Sequence, residues 1–171
     1  MKKYYLFFCT IALQCILAVS TFAQDSSSTP TYGLTASFQS SQLDILVPIW
    51  VSKMVSLAPA VGLAWEDGTG ADLHIGIVPR FYLTKKKVSP YLGLQIAMLK
   101  IIPAGGAGVA STTDWLAGLA FGGEYFFDEH LSFGVESQAN FTYSDQNSSR
   151  FGNPGKTNLN TAAAVFATVY F

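Results

Sequence analysis

The residues best suited to do chemistry in this sequence are three charged side chains, Arg80, Glu124 and Glu136. Each lies about four to six residues from a short predicted turn, and alternation along its strand directs it to the inner side of the sheet. We expect the three to meet at similar depth as an ionic cluster, because a buried charge that is left unpaired is costly. Such a cluster is structural, and the alternative is a gate that opens when the pairs exchange.

A second polar group, formed by Asp44, Asp72 and His74, is predicted near the opposite end of the same strands. His74 and Asp72 could together hold a metal ion. Two candidate ligands, however, are fewer than a usual metal site provides. Neither a metal nor any other cofactor is therefore expected.

A catalytic arrangement is present only superficially. His130, Ser132 and Glu136 follow one another closely, as a base, a nucleophile and an orienting carboxylate of a hydrolase would. His130, however, falls in a short turn on the side away from the outer leaflet, where lipid A resides. No enzymatic activity is expected, and modification of lipid A stays as the third alternative function.

Residues 1–23 have the pattern of a cleaved secretory signal peptide. A basic start and an apolar run of about sixteen residues precede small residues and a predicted cut before Gln24. Both cysteines, Cys9 and Cys15, lie inside this segment. The mature chain is therefore expected to contain no thiol, no disulfide and no cysteine metal site.

The composition favours a membrane protein over an ordinary soluble domain. Half of the residues are hydrophobic and 12% are charged, which is about half the usual charged share. The formal net charge of −1 gives no reason to expect a nucleic-acid partner. After a flexible leader at 24–30, residues 31–171 are expected to form one domain, a closed barrel in which every backbone group pairs with a neighbouring strand.

Alternation with period two predicts eight antiparallel strands in up-and-down order, of a length that suits transmembrane strands. The fourth is the clearest, because the odd-numbered residues from Ala71 to Leu83 are apolar. Longer loops are predicted at 66–70, 100–113 and 144–158. The short turns between them are predicted at the periplasmic side, together with both termini of the mature chain. The predicted strands are Thr31–Gln39, Leu43–Val51, Met54–Trp65, Ala71–Thr84, Val88–Leu99, Asp114–Phe127, Leu131–Tyr143 and Leu159–Phe171.

Aromatic side chains on the predicted outer face are sorted to the strand ends. Trp65, Trp115 and Tyr143 lie next to the longer loops. Phe81 and Phe133 lie next to short turns, and Leu, Ile, Val and Ala fill the middles. Two aromatic girdles around an apolar band are typical of barrels in the bacterial outer membrane.

The whole mature chain resembles the family of small outer-membrane β-barrel domains that includes the OmpA transmembrane domain, OmpX and OmpW. The resemblance rests on the signal ending Phe22-Ala23-Gln24, the segment from Ser89 to Leu94 and the terminal Phe171. It implies an eight-stranded barrel in the cell outer membrane, with Phe171 as an assembly signal. Two features differ: members with a peptidoglycan-binding domain continue past this point, and Val169 stands where a tyrosine is more usual.

The expected function is a non-catalytic role in envelope structure or surface interaction, with a narrow channel for small solutes as the first alternative. Expected partners are outer-membrane lipid, lipopolysaccharide and, through the C-terminal strand, the barrel-assembly machinery, and the protein is expected to be a monomer. The run Lys85–Lys87 is expected to be a solvated turn, with contact to lipid phosphates as the alternative. Five aromatic residues are expected to crowd one half of the lumen, which argues against a wide pore. They are Tyr82, Tyr91, Phe126, Phe166 and Tyr170.

Overall fold

The structure, a computed structural model, describes residues 31–39, 42–105 and 110–171. The predicted signal peptide 1–23 with its cysteines and the leader 24–30 lie outside the described residues. Within the described ranges, no helix has the length and hydropathy needed to cross a membrane. The strands, in chain order, are β1 (Gly33–Gln39), β2 (Gln42–Leu46), β3 (Ile49–Ser52), β4 (Val55–Glu66), β5 (Gly70–Tyr82), β6 (Val88–Pro103), β7 (Thr112–Phe126), β8 (Leu131–Tyr143) and β9 (Thr157–Tyr170).

These strands close into an eight-stranded antiparallel barrel, which confirms the predicted fold. β1 pairs with β9 and β2, and β2 pairs in turn with β4, so the described strands leave no open sheet edge. β2 and β3 both pair with β4 and form one barrel strand that is interrupted at Val47 and Pro48. Proline has no N–H to donate to the ladder, so the regular strand breaks there, while the Val47 N–H still donates to the Pro59 carbonyl oxygen.

Alternation directs one face of each barrel strand into the lumen and the other face outward. In β5, His74 and Arg80 are buried, whereas Ile75 and Ile77 between them are exposed. The inner face therefore collects polar residues and the outer face collects large apolar ones. This is the arrangement of a barrel that is surrounded by lipid and filled with polar groups.

Aromatic residues on the outer surface lie near both ends of the barrel strands. Trp115 and Tyr143 are direct neighbours in the ladder of β7 and β8 at one end, and Tyr125 and Phe133 are neighbours at the other. All four are exposed. Phe121 is exposed as well, nearer the middle of β7, so aliphatic residues do not fill the middles alone.

The two openings of the barrel differ in their connections. The turn end carries the connections 53–54, 83–87 and 127–130, and the loop end carries 40–41, 67–69, 104–111 and 144–156. The connection 67–69 is shorter than the loop predicted there, because Glu66 and Gly70 still pair and Gly68 and Gly70 have φ angles of 80° and 123°. Glycine adopts such angles without a steric penalty, which permits the tight reversal.

Candidate functional site

The turn half of the lumen, which is the half nearer the turn end, contains a buried ion pair. Arg80 on β5 and Glu136 on β8 approach each other with Nη2 and Oε2 3.3 Å apart. The Arg80 guanidinium lies over the rings of Phe166 and Tyr91, 4.1 and 4.9 Å from their centroids. The Tyr91 hydroxyl also donates to Glu136 Oε2 at 2.7 Å. Gln138 Nε2 donates to the other oxygen, Oε1, at 2.7 Å, so three side chains hold the carboxylate, and two adjacent rings flank the guanidinium that faces it.

Glu124, also fully buried, has a separate set of hydrogen bonds. Its carboxylate accepts from the hydroxyl of Tyr82 at 2.5 Å and from that of Tyr170 at 2.9 Å. The Ser132 hydroxyl is the third donor. The structure thus places Glu124 beside the ion pair of Arg80, held by three neutral hydroxyl groups, and not inside the pair.

Glycine residues on neighbouring strands make room for the aromatic rings of this half. The register places Gly122 opposite Tyr91 and Gly134 opposite Phe166. A Cβ atom at Gly122 would lie 2.6 Å from the Tyr91 hydroxyl oxygen, and one at Gly134 would collide with the Phe166 ring. The rings can therefore lie against the barrel wall only where the wall has no side chain.

Trp50 on β3 completes an aromatic cluster across the turn half. The centroid distances are 4.8 Å from Trp50 to Tyr82 and 5.3 Å from Tyr82 to Tyr91. Phe126 and Tyr170 stack beside them at 5.9 Å. Alternation along the second predicted strand already directs Trp50 inward, so this member could have been found from the sequence.

Lys85, in the connection 83–87, covers the turn end of the cluster. Its ammonium group lies over the ring of Trp50, 2.9 Å from the centroid, and 5.2 Å from the centroid of Phe126. Loss of solvent around the ammonium lowers the pKa of Lys85 to about 8, although the charge of Glu124 acts in the opposite direction. Lys85 thus differs from the solvated turn that the sequence predicts.

The loop half of the lumen, nearer the loop end, contains a histidine bonded to a carboxylate. His74 Nδ1 lies 2.8 Å from Asp44 Oδ2, and Gln42 Nε2 donates to Asp44 Oδ1 at 2.9 Å. Gly62 on β4 pairs with both Asp44 and His74, and a Cβ atom there would collide with the carboxylate. Because Gly62 has no side chain, the Asp44 carboxylate and the His74 imidazole can meet across β4.

Asp72, the third residue of the predicted outer group, is bonded elsewhere. Arg150, in the connection 144–156, contacts Asp72 Oδ1 through Nη2 at 2.5 Å. Its Nε lies 3.4 Å from Asp114 Oδ2. Asp114, which is fully buried, also accepts the backbone N–H of Asp145 at 2.8 Å. One arginine thereby ties the connection to β5 and β7.

The same connection places an aromatic ring in the mouth of the barrel. Phe151 packs against the inward-facing Ala97, Leu99 and Leu116. Arg150 and Phe151 could not be anticipated from the sequence, because the connection is polar and has no periodicity. Arg150 and its partner Asp72 are 78 residues apart, so only the folded barrel shows that they meet.

The residues that resemble a hydrolase triad in sequence are not arranged as one. His130 lies in the connection 127–130, and its Nδ1 is 3.1 Å from the Tyr170 carbonyl oxygen. Ser132 donates to Glu124 instead of to a histidine. Among the residues that the structure describes, no three His, Cys, Asp or Glu side chains form a group that could hold a metal ion.

Comparisons with known proteins agree with this architecture. The N-terminal β-barrel domain of OprF from Pseudomonas aeruginosa matches with a TM-score of 0.55 and 11% identity, over 82% of this chain and 95% of that chain. Neisserial surface protein A (NspA) matches with a TM-score of 0.55 and 14% identity, over 82% and 93%. No protein-family model and no curated protein matches. Because both identities are low, the likeness shows a shared fold, which is the barrel fold that the sequence resemblance implies.

Proposed function

We propose that this chain is a non-catalytic β-barrel protein of the outer membrane, with a role in envelope structure or surface interaction. The observation that carries the proposal is a lumen that is occupied at two levels. In the turn half, the Arg80–Glu136 pair and the aromatic cluster fill the cross-section. In the loop half, Arg150 and Phe151 fold into the mouth. An eight-stranded barrel has an interior just wide enough for side chains to fill, and side chains occupy it at these two levels.

The membrane location is supported by the apolar outer surface. Leu94 on β6 is 41% exposed in the middle of the apolar band, whereas the adjacent Gln95 is 6% exposed and faces the lumen. Arginine at the middle of a bilayer costs about 2–4 kcal/mol on the lipid face of a barrel, while the lumen can hydrate or pair it. Leu94→Arg should therefore lower the folded yield in vesicles strongly, and Gln95→Arg should lower it much less.

The same pair of variants separates a membrane barrel from a soluble one. In a soluble barrel, Leu94→Arg would replace an exposed leucine by a charged residue and would improve solubility in detergent-free buffer. A membrane barrel should also migrate differently on a denaturing gel before and after boiling, because a barrel without open edges resists unfolding by detergent. Identical migration, together with solubility without detergent, would contradict the proposed location.

Conductance tests the proposed closed lumen. Purified protein in a planar lipid bilayer should conduct little, because the two occupied levels block the lumen in series. A variant without the mouth contacts, Arg150→Ala with Phe151→Ala, should still conduct little, since the turn half stays filled. Large and persistent openings of the wild type would instead support the alternative, a narrow channel for small solutes.

The alternative has one specific observation in its favour. A cavity of about 130 Å³ lies in the loop half beside Arg150 and Phe151, and Gln39, Asp44, Gln95 and Asn160 are among the other residues that line it. A polar cavity of this kind is a segment of an aqueous path if both levels open. Brief flickering openings of the wild type that become large and persistent in Arg80→Met with Glu136→Gln would identify the ion pair as a gate.

We further propose that the outer surface contacts outer-membrane lipid and lipopolysaccharide, and that Phe171 is read by the barrel-assembly machinery. The exposed aromatic pairs at both strand ends support the first part, since such rings favour membrane interfaces. Replacing Phe171 by alanine should reduce assembly in cells and leave refolding of purified protein into vesicles unchanged. Equal assembly of the two proteins in cells would exclude Phe171 as a signal.

A further inference from the structure

Four aromatic rings at the turn end of the lumen surround the ammonium group of Lys85, and we call these rings the aromatic cage. The ammonium nitrogen lies 2.9 Å from the ring centroid of Trp50, 5.2 Å from that of Phe126 and 5.8 Å from that of Tyr82. Tyr170 is the fourth ring, with its centroid 6.1 Å from that of Trp50 and 5.9 Å from that of Phe126. A cation within about 6 Å of a ring centroid is attracted by the negative face of the ring. The cage is therefore a cation site, and a side chain of the same protein occupies it.

The walls of the cage belong to the barrel, whereas the occupant belongs to a connection. The four rings lie on β3, β5, β7 and β9, so the ladders of the barrel fix their positions without help from Lys85. Lys85 lies in the connection 83–87 and can move without breaking a strand. Trp50 and Phe126 are only partly buried and Lys85 is exposed, so the cage opens to solvent at the turn end. A molecule on this side of the barrel can reach the rings once the lysine moves away.

A buried carboxylate lies behind the rings. Glu124 accepts from the hydroxyl of Tyr82 at 2.5 Å and from that of Tyr170 at 2.9 Å. A phenol that donates to a carboxylate is polarised by it, which makes the ring more electron-rich. Among the residues that the structure describes, no cationic side chain forms a salt bridge with Glu124. The negative charge behind the cage therefore complements a cation inside it.

Lys85 itself is a poor occupant of the cage. Loss of solvent lowers its pKa to about 8, even though the charge of Glu124 acts in the opposite direction. A primary ammonium group has three N–H donors, and the faces of aromatic rings offer them no oxygen acceptor. A quaternary ammonium group has no N–H donor and loses less hydration when it enters such a site. Aromatic cages in proteins recognise ions of this class, including choline.

We propose that the aromatic cage binds a quaternary ammonium group that enters at the turn end, and that Lys85 is a tethered occupant which this ligand displaces. The four rings contact the methyl groups of the ligand, and Glu124 supplies the opposite charge. The Lys85 ammonium returns to solvent and regains its hydration. The Arg80–Glu136 pair stays in place, so the site is independent of whether the barrel conducts.

Fluorescence of purified protein in maltoside micelles tests the site, with choline chloride as the probe. The chain has three tryptophans, so Trp65→Phe with Trp115→Phe leaves Trp50 as the reporter. Choline should change the Trp50 emission saturably. The uncharged analogue of choline, in which carbon replaces the nitrogen, should bind about tenfold more weakly, because it has a similar shape and no charge. Butylammonium, which has the head group of a lysine side chain, should also bind more weakly than choline.

Variants of the connection and of one ring test the displacement, all in the same reporter background. Lys85→Ala removes the tethered competitor and should tighten choline binding about tenfold. Lys87→Ala is the matched control, because the Lys87 ammonium lies 5.4 Å from the ring centroid of the exposed Tyr125, and it should bind like the unchanged protein. Phe126→Leu keeps an apolar side chain but removes one ring, so it should weaken binding about fivefold. This variant carries the test if Lys85→Ala fails to give the gel shift of a folded barrel.

Glycerophosphocholine distinguishes the two sources of such a group. If it binds more tightly than choline, the site takes a lipid headgroup, whose phosphate can meet the displaced Lys85. If choline binds more tightly, the site takes a free quaternary ammonium ion. Either order supports the proposal, because the quaternary ammonium group is what the cage recognises.

Four results would overturn the proposal. One is the absence of saturable choline binding both with Lys85 present and in Lys85→Ala. The second is equal affinity for choline and its uncharged analogue, which would reduce the cage to an apolar cavity. The third is unchanged or weaker affinity in a folded Lys85→Ala variant. The fourth is loss of binding in Lys87→Ala, which would assign the probe to the outer surface.

Discussion

The two halves of the lumen hold buried charge by different means. In the turn half, Glu136 and Glu124 each accept hydrogen bonds from three side chains, and every donor lies on a barrel strand. In the loop half, the buried Asp114 accepts from Asp145 and Ser148 of a connection, and Arg150 of the same connection lies between Asp114 and the partly exposed Asp72. Strand residues are positioned by the ladder of the barrel, whereas a connection must order itself to supply a partner. We therefore expect the turn half to be a fixed plug and the loop half to be an adjustable cover.

The largest expected effect is that of removing the cation of the turn half. Arg80→Ala should destabilise the barrel by about 3–5 kcal/mol, because it leaves the buried Glu136 charge without its counter-ion. Arg80→Met with Glu136→Gln should restore much of the loss, since no unpaired charge remains. Urea unfolding in lipid vesicles measures both. Unchanged stability of Arg80→Ala would mean that the turn half is not a charge-dependent plug.

An added methyl group should also cost more stability in the turn half than in the loop half. Gly134→Ala should cost about 1–3 kcal/mol, because the added methyl group meets a Phe166 ring that is pinned by the Arg80 guanidinium. Gly118→Ala, the matched change in the loop half, collides with the side-chain amide of Asn140, which can move into the cavity. Its cost in the same urea experiment should be smaller. Equal costs would remove the distinction between a rigid and an adjustable half.

Removing the cation of the loop half should have a smaller effect on stability. Arg150→Ala should cost about 1 kcal/mol, because the Asp72 carboxylate is partly exposed and Asp114 keeps its other donors. The variant should instead release the connection 144–156, which limited proteolysis of protein in vesicles would detect. Cleavage at the wild-type rate would show that Arg150 does not hold the cover in place.

The smallest expected effect is a pH dependence at the turn end. A lysine whose pKa is lowered to about 8 in the fold and is 10.5 in the unfolded chain loses its proton first in the folded state. Stability should therefore rise as the pH increases from about 8 to 10.5, and the penalty should be fully present below pH 8. Lys85→Met removes this proton, so the melting temperature of the wild type minus that of the variant should increase over this range. A constant difference would show that the Lys85 ammonium is fully solvated.

Most of the barrel can be predicted from the sequence because its signals are local. Alternation along a strand depends only on the residues of that strand, which is why the faces of β5 and β8 agree with the sequence pattern. Turn residues mark where the strands of a hairpin end, and this signal is local as well. The break at Pro48 and the short connection 67–69 were missed because they depend on which neighbouring residues still pair.

Alternation alone is enough to predict which side chains enter the lumen, since a period of two sorts them without reference to any other strand. Which of those side chains meet becomes visible only in the folded barrel. The pairing of Arg80 with Glu136, of Asp44 with His74 and of Arg150 with Asp72 depends on barrel closure and on the register of strands far apart in the chain. The relative height of two residues that meet across the lumen depends on the register of every strand pair between them. A local sequence pattern contains no information on those registers.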